Sequence, residues 1–383
     1  GHVDVVRYLC ELPGGRGVNP GADDNYAIQW AAANGHVNTV RYLCELPGDR
    51  GVNPGAGHNY AIRLAAANGH VDVVQYLCEL PADRGVNPGA GHNYASRLAA
   101  ANGHVDVVRL LCELPGSRGV NPGAADNHAI RWAARNGHVD VVRYLCELPG
   151  DRGVNPGADD NKAIRLAATN GHVDVVRLLC ELPGDRDVNP CAHDNDPVYS
   201  AAGNGHVDVV RYLCELPGDR GVNPGAHNNH AVRWAAANGH VDVVRYLCEL
   251  PGGRGVNPGA DDNFAIRRAV THNHFNVVRY FCAALPRHSQ HIVHWASQTH
   301  QACGSTPQRY HARWTLQSVF TKYHTLFVRM SARRPLLVLY ALVRGRRCGY
   351  KPGQSGMDRA RHMEGEGRFR RPPRRRRTRE AFN

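Results

Sequence analysis

Cysteine and histidine are the residues of this chain whose number and spacing could support metal or redox chemistry. The sequence has 12 Cys and 23 His, and nine of the cysteines, from Cys10 to Cys282, recur every 34 residues. Packed helices lie about 8–10 Å apart, whereas a disulfide needs Cα atoms within about 7 Å, so cysteines on successive stacked helices remain thiols. No C-x-x-C pair of the kind found in zinc sites occurs. We therefore expect buried, reduced cysteines, no metal, no cofactor and an intracellular location, cytoplasmic or nuclear.

Histidine follows the same period. The dipeptide Gly-His stands at positions 1, 35, 69, 103, 137, 171, 205 and 239, and the variant Asn273-His274 continues it. A catalytic or metal-binding role repeated in every copy is implausible, so we expect each His to make a structural hydrogen bond to a neighbouring loop. The sequence also lacks G-x-S-x-G, H-E-x-x-H and P-loop motifs. We predict no catalytic residues and no enzyme activity.

The period defines repeats that must position these residues. Eight units of 34 residues span 1–272, and a ninth begins at 273; the chain opens within a repeat and is expected to be a fragment. In the first unit, Val5, Val6 and Leu9 share one face of a helix that Pro13 ends. A second helical pattern follows Asn25, and an Asn in this position is typical of a helix N-cap. Each unit is therefore predicted to be a helical hairpin whose apolar face only the next unit can cover.

The pattern resembles the ankyrin repeat over residues 1–286. The Gly-His pair, the paired alanines such as Ala31-Ala32, the V-V-x-x-L-C run and the Val18-Asn19 finger carry the resemblance, although Tyr26-Ala27-Ile28-Gln29 replaces the family's T-P-L-H. The resemblance implies an all-α, curved solenoid whose concave face is lined by finger tips and by the helices after each Asn. It also implies a non-enzymatic scaffold that binds an unidentified protein there, with no membrane and no small molecule as partner.

The positions around each Asn vary most among the copies. Directly after it stand Tyr26, Tyr60, Tyr94, His128, Lys162, Asp196, His230 and Phe264. Directly before it stand Asp24, His58, His92, Asp126, Asp160, Asp194, Asn228 and Asp262. One position earlier are Asp23, Gly57, Gly91, Ala125, Asp159, His193, His227 and Asp261. We predict that the first two sets form the partner-binding surface, the alternative being sequence drift at solvated positions.

Two other repeated positions are assigned structural roles. Arg16 and its copies form a ladder, which we interpret as solvated loop charges rather than as a basic stripe for an acidic partner. Those copies are Arg50, Arg84, Arg118, Arg152, Arg186, Arg220 and Arg254. Trp30, Trp132 and Trp234 alternate with leucines at one helical position, and we expect them to fill the core.

The C-terminal part has a different composition. Residues 287–383 hold 21 of the 46 Lys+Arg but only 4 of the 34 Asp+Glu, which leaves 25 and 30 in residues 1–286. We expect 287–302 to be a degenerate capping repeat, in preference to a metal site at His288, His291 and His294, and 303–383 to be a mostly disordered basic tail. Alternative functions are a nucleic-acid-associated or nuclear protein recruited through this tail, and the target-recognition arm of a larger ubiquitin ligase adaptor.

Overall fold

The computed structural model describes residues 1–284 apart from short loop segments. Those segments are 13–16, 48–51, 116–119, 150–151, 184–185, 187, 218–219, 221 and 252–255, and the side chains of Asp262 and Cys282 are likewise not described. The expected capping repeat at 287–302 and the basic tail at 303–383 lie outside the described residues. Within them, the chain forms 17 α-helices and one short 3₁₀ helix, Ala82–Arg84, and no strand.

The odd-numbered helices carry the Val-Asp-Val-Val pattern. They are α1 Val3–Glu11, α3 Val37–Glu45, α5 Val71–Glu79, α7 Val105–Glu113, α9 Val139–Glu147, α11 Val173–Glu181, α13 Val207–Glu215, α15 Val241–Glu249 and α17 Phe275–Ala284. Most of them end at a Glu that Leu and Pro follow, and Leu46, the residue after α3, has the extended ψ of 143° that a following Pro favours. The predicted helix and its Pro stop are thus confirmed.

The even-numbered helices carry the Ala pairs. They are α2 Ala22–Ala33, α4 Ala56–Ala67, α6 Ala90–Ala101, α8 Ala124–Asn136, α10 Ala158–Thr169, α12 Ala192–Asn204, α14 Ala226–Ala237 and α16 Ala260–Thr271. Their first turn is left-handed: Asp23, Asp24 and Asn25 have φ of 50°, 54° and 68°. The right-handed helix therefore begins only after each Asn.

The prediction that Asn25 and its copies cap these helices is wrong. The Asn25 side-chain oxygen instead accepts a hydrogen bond of 2.6 Å from the backbone N–H of Asn53 in the next repeat. Asn59 and Asn87 repeat the bond at 2.6 Å, as do Asn93 and Asn121 at 3.0 Å. The left-handed backbone, which Asn tolerates better than most residues, points the amide towards the next repeat rather than into its own helix.

Stacking buries one continuous apolar core. Each even helix packs on the next even helix and on the odd helix that follows it in the chain. The Ala pairs lie between even helices, as at Ala65 and Ala66, while Val74 and Leu77 fill the layer against the odd helices, and all four are fully buried. Because alanine has a minimal side chain, successive even helices can approach closely. Among the described helices, none is long and apolar enough to cross a lipid bilayer.

The Gly-His pair joins adjacent repeats, which confirms its structural role. Gly69 has a φ of +78°, and a Cβ there would lie 2.5 Å from Nδ1 of His104 in the next repeat. The His104 Nε2 is 3.0 Å from the carbonyl oxygen of Ala67, at the end of α4. The acceptor is therefore a helix-terminal carbonyl, which would otherwise lack an intrahelical partner.

Candidate protein-binding site

The predicted partner-binding residues lie on the exposed side of the even helices. Tyr26, Tyr60 and Tyr94 are 54%, 46% and 41% exposed, respectively. At the same position, Lys162 is exposed, and His128, Asp196, His230 and Phe264 are half-buried. Side chains directly before each Asn are exposed from Asp24 to Asn228, whereas the side chain of Asp262 is outside the described residues.

The tryptophans join this surface, so their assignment to the core is wrong. Trp30 and Trp234 are 51% and 52% exposed, and Trp132 is half-buried. Each lies one helical turn after a predicted binding residue. Tyr26 meets Trp30 edge-on with ring centroids 5.7 Å apart, and His128 stacks on Trp132 at 5.3 Å. The core at this level is already filled by the Ala pairs, which leaves the large ring on the outside.

A row of arginines completes the surface and was missed in the sequence. Three residues after each predicted binding residue, an Arg recurs in six of the eight copies. The position holds Gln29, Arg63, Arg97, Arg131, Arg165, Tyr199, Arg233 and Arg267. The signal was the period of 34 combined with helical i, i+3 spacing from the binding residue. We call the residues directly after each Asn, together with those three and four positions further on, the aromatic–arginine face.

Neighbouring repeats are linked across this face. The Arg233 guanidinium lies over the Phe264 ring at 4.2 Å and pairs with Asp261 at 2.9 Å. The Arg165 Nε donates to the Asp196 carboxylate at 2.5 Å, and Arg131 pairs with Asp159. Lys162 also binds Asp159 at 2.9 Å, and its hydrogen bond is the main cause of the lowered pKa of Asp159. Several predicted residues thus contact the preceding repeat as well as solvent.

His128 lies in a positively charged part of the face. Burial is the largest cause that lowers its pKa to about 4, and the charges of Arg97 and Arg131 add to it. Burial, followed by the charges of Arg233 and His227, also lowers the pKa of His230. Both imidazoles are therefore neutral at physiological pH and present aromatic surface rather than charge.

The tyrosines of the odd helices are covered instead. Tyr76 is half-buried, and the Arg41 guanidinium of the preceding repeat lies 4.5 Å from its ring centre. Arg177 and Tyr212 repeat the arrangement at 4.7 Å. Tyr8, in the first repeat, is 67% exposed. From the second repeat to the eighth, the exposed Tyr and Trp side chains in the described part of the chain lie on even helices.

Two arginines of the Arg16 ladder, Arg152 and Arg186, bind helix ends. The guanidinium of Arg152 donates to the carbonyl of Cys112, at 2.5 Å, and Arg186 donates to that of Cys146. Both acceptors lie in the last turn of an odd helix, where a positive charge is favourable. The interpretation of these two as solvated charges is wrong, whereas Arg16, Arg50, Arg118 and Arg254 lie outside the described residues.

The predicted burial of the cysteine ladder is confirmed for most of the described members. Seven of them, Cys10 to Cys214, are buried, Cys248 is half-buried, and none of these eight is in a disulfide. Burial raises the pKa of Cys112 to about 11 and that of Cys146 to about 12. In the described part of the chain, no group of three or more His, Cys, Asp or Glu side chains could hold a metal ion.

The architecture defines a helical repeat protein whose aligned helices expose one side-chain face. A family model described as ankyrin repeats matches residues 1–90, 62–160 and 148–228, more than half of the chain. The chain belongs to the ankyrin repeat family, whose repeats are a protein–protein interaction module.

Among solved structures, the chain is similar to an ankyrin repeat family protein from Legionella pneumophila. The two are 26% identical, the match covers 58% of this chain and 69% of that chain, and the TM-score is 0.28. No curated protein matches the chain.

Proposed function

We propose that the chain is a non-enzymatic scaffold that holds a partner protein on the aromatic–arginine face. The observation that carries the proposal is the exposure of Tyr26, Trp30, Tyr60, Tyr94 and Trp234, which lie on the even helices α2, α4, α6 and α14. Tyr, Trp and Arg are the residue types enriched in interfaces and in their energetic hot spots. The equivalent tyrosines of the odd helices are covered by Arg and offer less free surface.

Packing between repeats prepares this face for binding. Tyr94 is fixed between Arg63 and Arg97, whose guanidiniums lie 5.1 and 5.0 Å from its ring centre. Side chains that are already ordered lose less conformational entropy on association. In this proposal the partner is a protein, and the location is intracellular, which fits buried cysteines that form no disulfide in the described part of the chain. The tail-dependent alternatives concern residues outside the described part of the chain.

The test compares protein capture by three forms of the full chain. In the first variant Tyr26, Tyr60 and Tyr94 are replaced by Ala. In the control, Tyr8 on α1, which is more exposed than any of the three, is replaced by Ala. Because these side chains are exposed, all forms should fold alike, which circular dichroism verifies. We expect quantitative mass spectrometry to find proteins bound by the wild type and the control but lost from the triple variant. Equal recovery by all three forms contradicts the proposal.

A further inference from the structure

Four arginines of the aromatic–arginine face have a similarly buried guanidinium, but only two of them are paired with a carboxylate. The Nε atoms of Arg63, Arg97, Arg131 and Arg233 are all buried and without a hydrogen-bond partner, so only the terminal nitrogens remain to bind an acceptor. Arg131 and Arg233 use them to bind the carboxylates of Asp159 and Asp261. Each carboxylate stands 28 residues further on, in the left-handed turn of the next repeat.

The corresponding positions for Arg63 and Arg97 carry no carboxylate. They are Gly91 and Ala125, and no described Asp or Glu lies within ion-pair distance of either guanidinium. Arg97 otherwise repeats the arrangement of Arg131. Its Nη2 donates to the carbonyl of Gly91 at 3.2 Å, just as the Nη2 of Arg131 donates to the carbonyl of Ala125 at 3.2 Å. The two arginines differ in the carboxylate, which Asp159 supplies to Arg131 and which Arg97 lacks.

The two guanidiniums are held close together despite their like charge. Both lie about 5 Å from the ring centre of Tyr94. Burial lowers the pKa of Arg97, and the charge of Arg63 lowers it further. Partly buried charges without a counter-ion are costly, and a guanidinium binds a carboxylate strongly through paired N–H donors.

We infer that Arg63 and Arg97 bind the carboxylate of an Asp or Glu side chain in an acidic segment of the partner protein. The inference rests on the proposed function and specifies the chemistry of the partner. Asp159 and Asp261 occupy the equivalent space in other repeats, so a carboxylate borne by a short side chain fits it. The exposed ring of Tyr60, in the same repeat as Arg63, offers apolar contact to the flanking residues of such a segment.

A peptide fits this region better than a nucleic acid. Residues 1–286 hold 25 Lys+Arg and 30 Asp+Glu, which is what remains of the 46 and 34 in the whole chain after the 21 and 4 in residues 287–383 are subtracted. The repeats are therefore slightly acidic. Asp23, Asp24, Asp159 and Asp160 lie on either side of the unpaired arginines along the stack. A long polyanion would meet these carboxylates, whereas a short acidic segment need not.

The repeats themselves suggest the decisive variant. Replacing Gly91 and Ala125 by Asp supplies the missing carboxylates from within the chain. Gly91 and Ala125 have φ of 63° and 53°, and Asp159 and Asp261 adopt 55° and 53° at the same position, so Asp is compatible with this backbone. A Cβ at Gly91 would come closest to the end of the flexible Arg63 side chain, at 2.8 Å, and would make an ordinary contact of 3.5 Å with the Cβ of Tyr94. The matched control replaces both residues by Asn, which has the same shape without the charge.

The experiment selects phage-displayed random peptides that bind the full wild-type chain. The library is first depleted on the Gly91→Asp, Ala125→Asp chain, which removes peptides that bind the basic tail or other shared surfaces. We expect the remaining peptides to carry Asp or Glu. They should bind the wild type and the Asn control about ten-fold tighter than the Asp variant, as expected for one charged contact. The Asp variant should melt no lower than the wild type.

Three results overturn the inference. The first is that the peptides that discriminate between the chains lack acidic residues. The second is that the Asn control loses binding as fully as the Asp variant. The third is that a single-stranded oligonucleotide distinguishes the wild type from the Asp variant as strongly as the peptides do. If no peptide discriminates, but peptides selected directly on the wild type require Tyr26, Tyr60 and Tyr94, the carboxylate site fails and the proposed function stands. If the binding of directly selected peptides depends neither on Tyr26, Tyr60 and Tyr94 nor on the changes at Gly91 and Ala125, both the carboxylate site and the proposed function fail.

Discussion

Asn25 and its copies join repeats rather than start helices. Asn59 is buried, and its side-chain oxygen accepts the N–H of Asn87. The Asn87 side chain in turn accepts the N–H of Gly89 at 2.9 Å and closes its own turn. One buried amide thus connects the start of an even helix to the loop of the next repeat, where a backbone N–H would otherwise lack a partner.

Replacing Asn59 by Gly tests this bond. Glycine keeps the left-handed conformation, so the expected loss of about 1–2 kcal/mol of unfolding free energy reflects the hydrogen bond and the N–H it leaves unpaired. Urea denaturation followed by circular dichroism measures it. The same change at the neighbouring His58, which is exposed and has a φ of 57°, should cost less than about 0.5 kcal/mol. Equal effects of the two substitutions would show that the bond contributes nothing.

The lowered pKa of His128 predicts that the stability of the chain depends on pH. Burial and the nearby Arg97 and Arg131 lower its pKa from 6.5 to about 4 in the folded state. Below pH 6.5, His128 is protonated more readily in the unfolded chain than in the folded one, because its pKa is lower in the folded state. Its contribution to the unfolding free energy is therefore complete above about pH 6.5 and declines as the pH falls towards 4. Unfolding midpoints measured across this range should therefore decline less steeply in His128→Gln than in the wild type. A slope in His128→Gln as steep as that of the wild type would contradict the burial of His128.

At the scale of elements, the end of each even helix and the start of the next odd helix form one joint. Gly103 takes a φ of +82°, and the His138 ring fills the space where its Cβ would be, with Nδ1 at 2.6 Å. The His138 Nε2 then lies 2.9 Å from the carbonyl oxygen of Ala101. The glycine of one repeat therefore leaves room for the histidine of the next, so the Gly-His pair stabilises the contact between adjacent repeats.

Gly103→Ala should lower the unfolding free energy by about 2–3 kcal/mol, from left-handed strain together with displacement of His138. Gly203→Ala is the matched control. Its Cβ would make an ordinary contact of 3.5 Å with Trp234, and alanine already stands at this position in Ala67 and Ala101. Because alanine favours helix over glycine by up to about 1 kcal/mol, this control should be neutral or stabilising. Urea denaturation of both variants measures the change in unfolding free energy. Comparable losses in Gly103→Ala and Gly203→Ala would contradict a stabilising role for the Gly-His pair.

The periodic features were predictable from the sequence, and the contacts between repeats were not. Helices, Pro stops, buried cysteines and the Gly-His role follow from spacing and residue type within one unit. The left-handed turn at Asp23 to Asn25 does not, because acidic and amide side chains before a helix equally suit an N-cap. Trp30 was misplaced because hydrophobicity alone does not reveal that the Ala pairs already fill the core.

At the scale of the molecule, the same contacts repeat along most of the described array, the Asn bonds from Asn25 to Asn229 and the His bonds from His70 to His240. Asn, His and Ala pairs fix one repeat on the next, so stability is roughly a sum of repeat and interface terms. Because these contacts keep the repeats at a constant spacing of 34 residues, the residue types on the aromatic–arginine face can differ from repeat to repeat. Its charge changes from uncompensated Arg63 and Arg97 to the paired Arg131 and Asp159 within three repeats. A repeated scaffold thereby carries a surface that is not repeated.

The most direct test of the account is hydroxyl-radical footprinting of the full chain with and without a bound partner or selected peptide. Mass spectrometry then reports the oxidation of each exposed aromatic side chain. The account predicts that oxidation of Tyr60 and Tyr94 falls severalfold on binding, while oxidation of Tyr8 on α1 is unchanged. Protection confined to residues of the odd helices, with Tyr60 and Tyr94 oxidised as in the free chain, would contradict it.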